Sequence, residues 1–299
     1  ISNVVVSSNY TGEDVSCFGA CDAELVITPG GGTPPYEYTV GGNNNGSNNV
    51  VQNVCAGNPQ IMIEDDNSCA FSTNFLVSEP PALSISNINT TSDYNGEDVQ
   101  CAGSMNGEIE VTASGGTGNL LYSTTGLAPF NYSSVITGLS SGTYPIAVQD
   151  ENECISIAVD HIINDPTPLS LNVVVSSAIT CNGLSNGEVT LQGIGGTGTY
   201  QYSDDIGVTF QSSTVFNGQS AGDNIYVVKD DNNCQVSLTY DVPEPSLVNL
   251  FASVISDFNG QDISCFGAND AIININASGG LLGGLYSYSL SGNTPQAQI

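Results

Sequence analysis

CAGSMNGEIEVTASGGT at residues 101–117 and GTYPIAVQDENEC at residues 142–154 are the two stretches that decide how this chain folds. In the first, Glu108-Ile109-Glu110-Val111-Thr112 alternates apolar and polar residues, the period-two pattern of a half-buried strand. Gly115-Gly116 ends that strand, because glycine reaches the backbone angles of a sharp reversal. In the second, a strand opens after Gly142 and ends in Asp150-Glu151-Asn152, with Cys154 four residues beyond the aspartate. Asp and Asn suit tight turns, since their side chains bond nearby backbone groups and tolerate left-handed angles.

The same text recurs along the chain. From Cys17, Cys101, Cys181 and Cys265, the second glycine of a Gly-Gly pair follows 15 residues on, at Gly32, Gly116, Gly196 and Gly280. Cys69, Cys154 and Cys234 close the first three copies, 52, 53 and 53 residues after their opening cysteine. The period is 84, 80 and 84 residues, which predicts an array of small domains.

Each copy begins with an apolar run, such as Val4-Val5-Val6 or Leu171 to Val175. A tyrosine strand follows the Gly-Gly pair, at Tyr36-Glu37-Tyr38, Tyr122, Tyr200-Gln201-Tyr202 and Tyr286-Ser287-Tyr288. A last strand runs into Glu79-Pro80, Asp165-Pro166 or Glu244-Pro245, and prolines there stiffen the junction and mark a boundary. Six or seven short strands in about 80 residues, without helical periodicity, predict an all-β tandem array of immunoglobulin-like β-sandwich domains. The expected spans are 1–80, 81–166, 167–245 and an incomplete 246–299.

A domain this small has little core, and the chain holds no tryptophan. Nine cysteines at domain-regular spacing point to an oxidising compartment. The expectation is one bridge per repeat, Cys101–Cys154 and Cys181–Cys234, with Cys17–Cys69 by register and an extra Cys21–Cys55. The four cysteines of the first copy permit three pairings, so that copy stays open. Closing a loop of this size removes about 4 kcal/mol of unfolded-chain entropy in the simple model. A metal cluster would need repeated close Cys or His groupings, and only Cys17 and Cys21 stand close.

The formal charge is −29, with Lys229 the one basic residue beside the single His161. Such a chain cannot neutralise phosphates, which excludes nucleic acid as a partner and disfavours anionic membranes. No apolar run reaches the ~18 residues of a membrane helix, and no direct membrane insertion is expected. The chain starts inside a strand-like run and stops before a fourth closing cysteine, so it reads as a window on a longer protein, with the partner of Cys265 beyond its C-terminal end.

The succession Cys101-Ala102-Gly103, Gly115-Gly116-Thr117, Gly142-Thr143-Tyr144 and Asp150-Glu151-Asn152-Glu153-Cys154 resembles the SprB repeat, a family named for a gliding-motility adhesin of Bacteroidota. Cys181-Asn182-Gly183 and Gly195-Gly196-Thr197 match it as well. The resemblance implies a non-catalytic segment of a very large secreted adhesin, exported by the type IX system and attached at the outer membrane. It implies neighbouring repeats as partners, a tip that contacts polysaccharide or substratum, and a role in gliding. Two departures stand out: family members commonly carry a tryptophan after the tyrosine strand, and the first copy has Asn58-Pro59-Gln60 where a tyrosine usually falls.

Calcium is the one cofactor candidate. Tyr10-Thr11-Gly12-Glu13-Asp14, Tyr94-Asn95-Gly96-Glu97-Asp98 and Phe258-Asn259-Gly260-Gln261-Asp262 supply oxygen-rich loops, with Glu13, Asp14, Glu97, Asp98 and Asp262 as ligands. The third copy lacks this segment. The alternative to a stalk is an array of glycan-binding modules, whose contacts would be Tyr36, Tyr38, Tyr200 and Tyr202 beside Asp and Asn. No catalytic residue is expected: His161 has no counterpart in other copies, and the paired carboxylates recur as turn residues.

Overall fold

The computed structural model describes residues 1–281, 284–290 and 296–297, and among them every regular element is a strand. The chain divides into two compact units, Ile1–Asp165 and Pro166–Ile299, each holding two of the four sequence repeats.

In the first unit, repeat 1 folds as seven strands. Strands β1 (Asn3–Val6), β2 (Ala23–Thr28) and β5 (Val50–Val54) make one sheet in the order β1-β2-β5. Strands β3 (Tyr36–Val40), β4 (Asn43–Asn44), β6 (Gln60–Asp65) and β7 (Ala70–Asn74) make the other, in the order β4-β3-β6-β7. Repeat 2 follows the same plan with β8 (Ser84–Thr90), β9 (Gly107–Ser114) and β11 (Val135–Leu139) facing β10 (Leu121–Ser123), β12 (Gly142–Gln149) and β13 (Val159–Ile163). All pairings are antiparallel, as the alternating text requires. Alternation becomes burial directly: Ile109 and Val111 of β9 point inward with Ile146 and Val148 of β12, while Glu110 and Thr112 face water. Each such side chain contributes about 1.5–3 kcal/mol by leaving water.

In the second unit, repeat 3 repeats the plan: β14 (Ser170–Ser177), β15 (Gly187–Ile194) and β17 (Val215–Gln219) form one sheet, and β16 (Gln201–Ser203), β18 (Gly222–Lys229) and β19 (Gln235–Val242) the other. Its largest buried side chain is Tyr226, whose hydroxyl donates to Gln219 Oε1 at 2.7 Å and whose ring lies 6.0 Å from that of Phe216. Burial, with the charge of Asp204 adding to it, pushes the Tyr226 phenol up to about 12. Repeat 4 contributes β20 (Ser246–Val254) paired with β21 (Ile273–Gly280), and β22 (Ser287–Tyr288) paired with β23 (Gln296–Ala297).

Among the described residues, three separate apolar cores lie within residues 15–77, 99–163 and 171–242. Each is plugged by the β-branched residue two positions before the opening cysteine: Val15, Val99 and Ile179 are fully buried. A tyrosine corner recurs with a change of chemistry. Tyr144 donates its hydroxyl to the Ser140 carbonyl at 2.9 Å, and in repeat 3 the Asn224 amide donates to the Ser220 carbonyl at 2.9 Å.

Candidate functional site

The recurring motifs assemble at two poles of each sandwich. At the leading pole, where the chain enters, the Gly-Gly turn lies against the incoming segment: Gly116 N–H donates to the Pro81 carbonyl at 2.8 Å, and Gly196 N–H to that of Thr167 at 2.7 Å. The first aspartate of the acidic turn knots this pole. Asp150 Oδ2 accepts from Thr117 N–H at 2.9 Å and from the Thr117 hydroxyl at 3.2 Å. Its Oδ1 accepts from the N–H groups of Asn152 and Cys154, at 3.0 and 2.9 Å. Asp65 does the same for Thr33, Asn67 and Cys69, and Asp230 for Thr197 and Cys234.

This knot accounts for Gly-Gly-Thr. Gly32, Gly116 and Gly196 have φ of +77°, +67° and +63°, and a Cβ there would stand 3.0, 2.8 and 2.5 Å from Oδ2 of Asp65, Asp150 and Asp230. The residue before each closing cysteine is also left-handed: Ser68, Glu153 and Asn233 have φ of 62°, 66° and 62°. The closing cysteine is thus held at the leading pole by the carboxylate four residues before it.

The opening cysteine belongs to the trailing pole, where the chain leaves. Glu79 Oε2 accepts from Gly19 N–H at 2.8 Å, Asp165 Oδ1 from Gly103 at 3.1 Å, and Glu244 Oε2 from Gly183 at 2.8 Å. The acidic residue before each junction proline therefore clamps the Cys-x-Gly turn. From the other side, Asp22, Asn106, Asn186 and Asp270 accept from the N–H preceding Cys17, Cys101, Cys181 and Cys265.

The two cysteines of a repeat sit on opposite poles, and the disulfides follow. Cys17 is bonded to Cys154, 137 residues away in the next repeat, with 5.7 Å between Cα atoms. The expected Cys17–Cys69 and Cys101–Cys154 bridges are therefore not formed, and Cys181–Cys234 is not formed either, since Cys181 is free. Cys21 is bonded to Cys55, and Cys101 and Cys234 are disulfide-bonded as well. Cys69, Cys181 and Cys265 are free thiols, all exposed. Equal spacing in sequence suggests a loop closed within one domain, whereas the separation of the poles makes the Cys17–Cys154 bridge a link between domains. Asn152 supports the Cys17–Cys154 bridge: its amide donates to the carbonyls of Tyr10 and Ser16 at 3.2 and 3.3 Å, and it accepts from the Thr11 hydroxyl at 2.9 Å.

The loops read as cation sites are hairpin turns. Thr11-Gly12, Asn95-Gly96 and Asn259-Gly260 all have positive φ, the pair of angles that a type I′ turn needs. Asp14 Oδ2 accepts from Ser78 N–H at 2.8 Å, and Asp98 Oδ2 from the backbone and amide of Asn164, both at 2.8 Å. Glu13 and Glu97 bond through their backbones to Tyr10 and Tyr94, and Asp262 lies on the exposed surface. Among the described residues no three His, Cys, Asp or Glu side chains converge.

The tyrosines serve packing. Tyr38 and Tyr202 are 4 % exposed and lie in the cores of repeats 1 and 3. Tyr36 and Tyr200 donate their hydroxyls to Gly31 and Gly195, the first glycines of the Gly-Gly pairs, at 2.9 and 2.6 Å. Leu120 takes this position in repeat 2. His161 Nε2, on β13, lies 3.0 Å from the Thr90 hydroxyl of β8, between edge strands of the two different sheets.

The model of the SprB repeat family matches residues 9–45, 94–129, 173–204 and 258–295. The chain carries SprB repeats, four of them. Each matched segment contains the hairpin turn or its remnant, the opening cysteine, the Gly-Gly pair and the tyrosine strand. The closing cysteines fall outside the matched segments. No curated protein matches the chain significantly. Among solved structures, the chain is similar to a C-terminal 282-residue fragment of intimin in complex with the intimin-binding domain of the translocated intimin receptor. The identity is 18 %, the TM-score 0.29, and the match covers 56 % of this chain and 66 % of that one, just under two thirds. The three N-terminal domains of the bacteriophage RB49 Hoc protein match at 15 % identity and TM-score 0.31, covering 79 % and 97 % of the two chains. Domains 7, 8 and 9 of the S-layer protein SbsC match at 10 % and 0.26, covering 69 % and 78 %.

Two outcomes test the knot. Gly116→Ala forces a Cβ against Asp150 at a left-handed angle, and is expected to destabilise repeat 2 by about 2 kcal/mol or more. Gly96→Ala, with open space around its Cβ, should cost less, as read by amide exchange across β9 and β12. The second outcome concerns acid. Bonds from the N–H groups of Cys69 and Thr33 hold the Asp65 carboxyl below its ordinary 3.8. A carboxyl depressed in the folded state adds stability above its ordinary value, and this is lost as pH falls through the folded value. Carbon-detected NMR titration should show Asp65 still ionised below pH 3.8, with the leading pole of repeat 1 loosening as it protonates.

Proposed function

We propose that this chain is a non-catalytic segment of an extracellular surface filament, in which SprB repeats are joined pole to pole and carry tension between the cell and what it touches. The observation that carries the reading is the Cys17–Cys154 bridge between successive repeats, supported by Asn152. A protein that only displayed separate binding modules would gain nothing from coupling them covalently. Under tension the loaded path passes from Cys17 through the disulfide to Cys154, so the intervening residues, repeat 2 up to β12 included, are shielded. The bridge also removes about 5 kcal/mol of unfolded-chain entropy in the loop-closure model.

An acidic surface with charge −29 keeps such a filament soluble and separates its copies. The packed tyrosines favour the filament over an array of glycan-binding modules. Export by the type IX system, attachment at the outer membrane and a part in gliding belong to this reading through the family resemblance. In this reading Asp14 and Asp98 serve the backbone N–H groups of Ser78 and Asn164.

Single-molecule pulling on the oxidised and reduced chain tests the proposal. The 137-residue separation corresponds to roughly 450–490 Å of extended chain. Reduction should therefore add at least that length to the total extension. An extension unchanged by reduction would contradict the load-bearing role.

A further inference from the structure

The features that set repeat 1 apart from repeats 2 and 3 meet at one cavity. The second sheet of repeat 1 has four strands, β4 being the addition, where the corresponding sheets of repeats 2 and 3 have three. Gly41-Gly42 joins β3 to β4 with both φ angles positive, as a type I′ turn requires. The extra Cys21–Cys55 bridge stands where repeat 3 has the hydroxyl pair Ser185 and Ser220, 3.0 Å apart. Asn53, at φ 58°, occupies the strand bulge that Gly138 and Gly218 occupy in the other two repeats, at φ 76° and 75°. β4, Cys55 and Asn53 all border a single cavity of about 300 Å³, between the edge strands β4 and β5 of the two sheets.

Six amide side chains line this cavity, those of Asn43, Asn44, Asn45, Gln52, Asn53 and Asn58, and none of the lining residues is charged. In a chain with 30 carboxylate side chains, that makes it a neutral place. Three of the amides build the walls. Asn44 Oδ1 accepts from Gly46 N–H at 2.6 Å, and the Asn45 amide donates to the carbonyls of Asn48 and Val50 at 2.7 and 3.1 Å. Gln52 Nε2 donates to Glu24 Oε2 at 2.9 Å. The hairpin is also pinned to the buried Tyr38, whose N–H donates to the Gly46 carbonyl and whose carbonyl accepts from Asn45 N–H, both at 2.8 Å. The side chains of Asn43, Asn53 and Asn58 have no hydrogen-bond partner among the described residues.

The geometry points to this cavity as a binding site for a neutral saccharide, a short stretch of uncharged glycan held by Asn43, Asn53 and Asn58. Each free amide offers two donors and an acceptor, which matches neighbouring hydroxyls that both give and take hydrogen bonds. Val51, Val54 and Pro59 border the same space and suit the C–H faces of a sugar ring. The volume lies at the lower end of small-ligand pockets, about 300–1,000 Å³, so it takes a small unit rather than a folded partner. Walls fixed by a disulfide and a pinned hairpin lower the ordering cost of binding. Charge selects among sugars. The Ser7 hydroxyl and the Gln52 amide hold the Glu24 carboxyl below its ordinary range, so a sugar acid entering beside Gln52 meets a like charge. The site adds a point of contact to the filament and does not rest on that reading.

The test titrates the oxidised 299-residue chain with laminarihexaose, cellohexaose, maltohexaose and mannohexaose, and with hexagalacturonate as the charged comparison. Side-chain amide NMR reads the binding. At least one neutral hexaose is expected to shift the Asn43, Asn53 and Asn58 amides saturably, and hexagalacturonate to leave them in place. Asn53→Gly gives repeat 1 the residue that repeats 2 and 3 carry at this bulge, so the fold is kept, as unchanged signals from Leu25 and Ile61 would confirm. It should weaken binding about tenfold, the loss of roughly one hydrogen bond, and Asn58→Ala should do the same. The proposal is overturned if no neutral hexaose gives a saturable shift at about 10 mM. It is equally overturned by hexagalacturonate binding as tightly, or by both variants binding like the unaltered chain. Because the readout is binding and not extension, failure here leaves the Cys17–Cys154 bridge and the filament reading standing, and the converse holds.

Discussion

One carboxylate organises each of the first three repeats. The first aspartate of the acidic turn (Asp65, Asp150 or Asp230) collects backbone N–H donors from the Gly-Gly-Thr reversal and from its own turn. Buried hydrogen bonds to a charged acceptor are about twice as strong as neutral ones, and Asp150 and Asp230 are 2 % and 3 % exposed. The knot joins the two sheets at the leading pole and admits only glycine beneath it. It also fixes where the closing cysteine points. A second carboxylate, on Glu79, Asp165 or Glu244, does the corresponding work for the opening cysteine at the trailing pole.

Placing the cysteines on opposite poles changes what a disulfide does. A bridge within a sandwich would have to cross the length of the domain, whereas a bridge between successive repeats spans 5.7 Å between Cα atoms. The same fold that shortens that distance couples the cores of repeats 1 and 2. Stability and mechanical continuity therefore come from one arrangement. The Cys21–Cys55 bridge is of a different kind, local to repeat 1 and closing 34 residues.

Much of this was legible in the sequence. Alternation in Glu108 to Thr112 and Glu188 to Leu191 became strands β9 and β15, and the Gly-Gly pairs became reversals, because period-two patterning and left-handed glycine act locally. Turn chemistry was half legible: Asp150 and Asn152 form a turn, but the Asp150 bond to Thr117 spans 33 residues and no local rule announces it. The Asn-Gly pairs at 95–96 and 259–260 are a type I′ signal, while the acids beside them are what a cation site would also need. Cysteine pairing was the least legible. Register shows which cysteines are equivalent, but only the fold shows that equivalent positions lie at opposite ends.

The central claim is that the opening cysteine of one repeat is bonded to the closing cysteine of the next. Non-reducing peptide mapping of the full chain tests it directly. The account predicts a cross-linked species that joins the peptides of Cys17 and Cys154, with Cys69 open to alkylation before reduction. A Cys17–Cys69 or Cys101–Cys154 species in its place would contradict it.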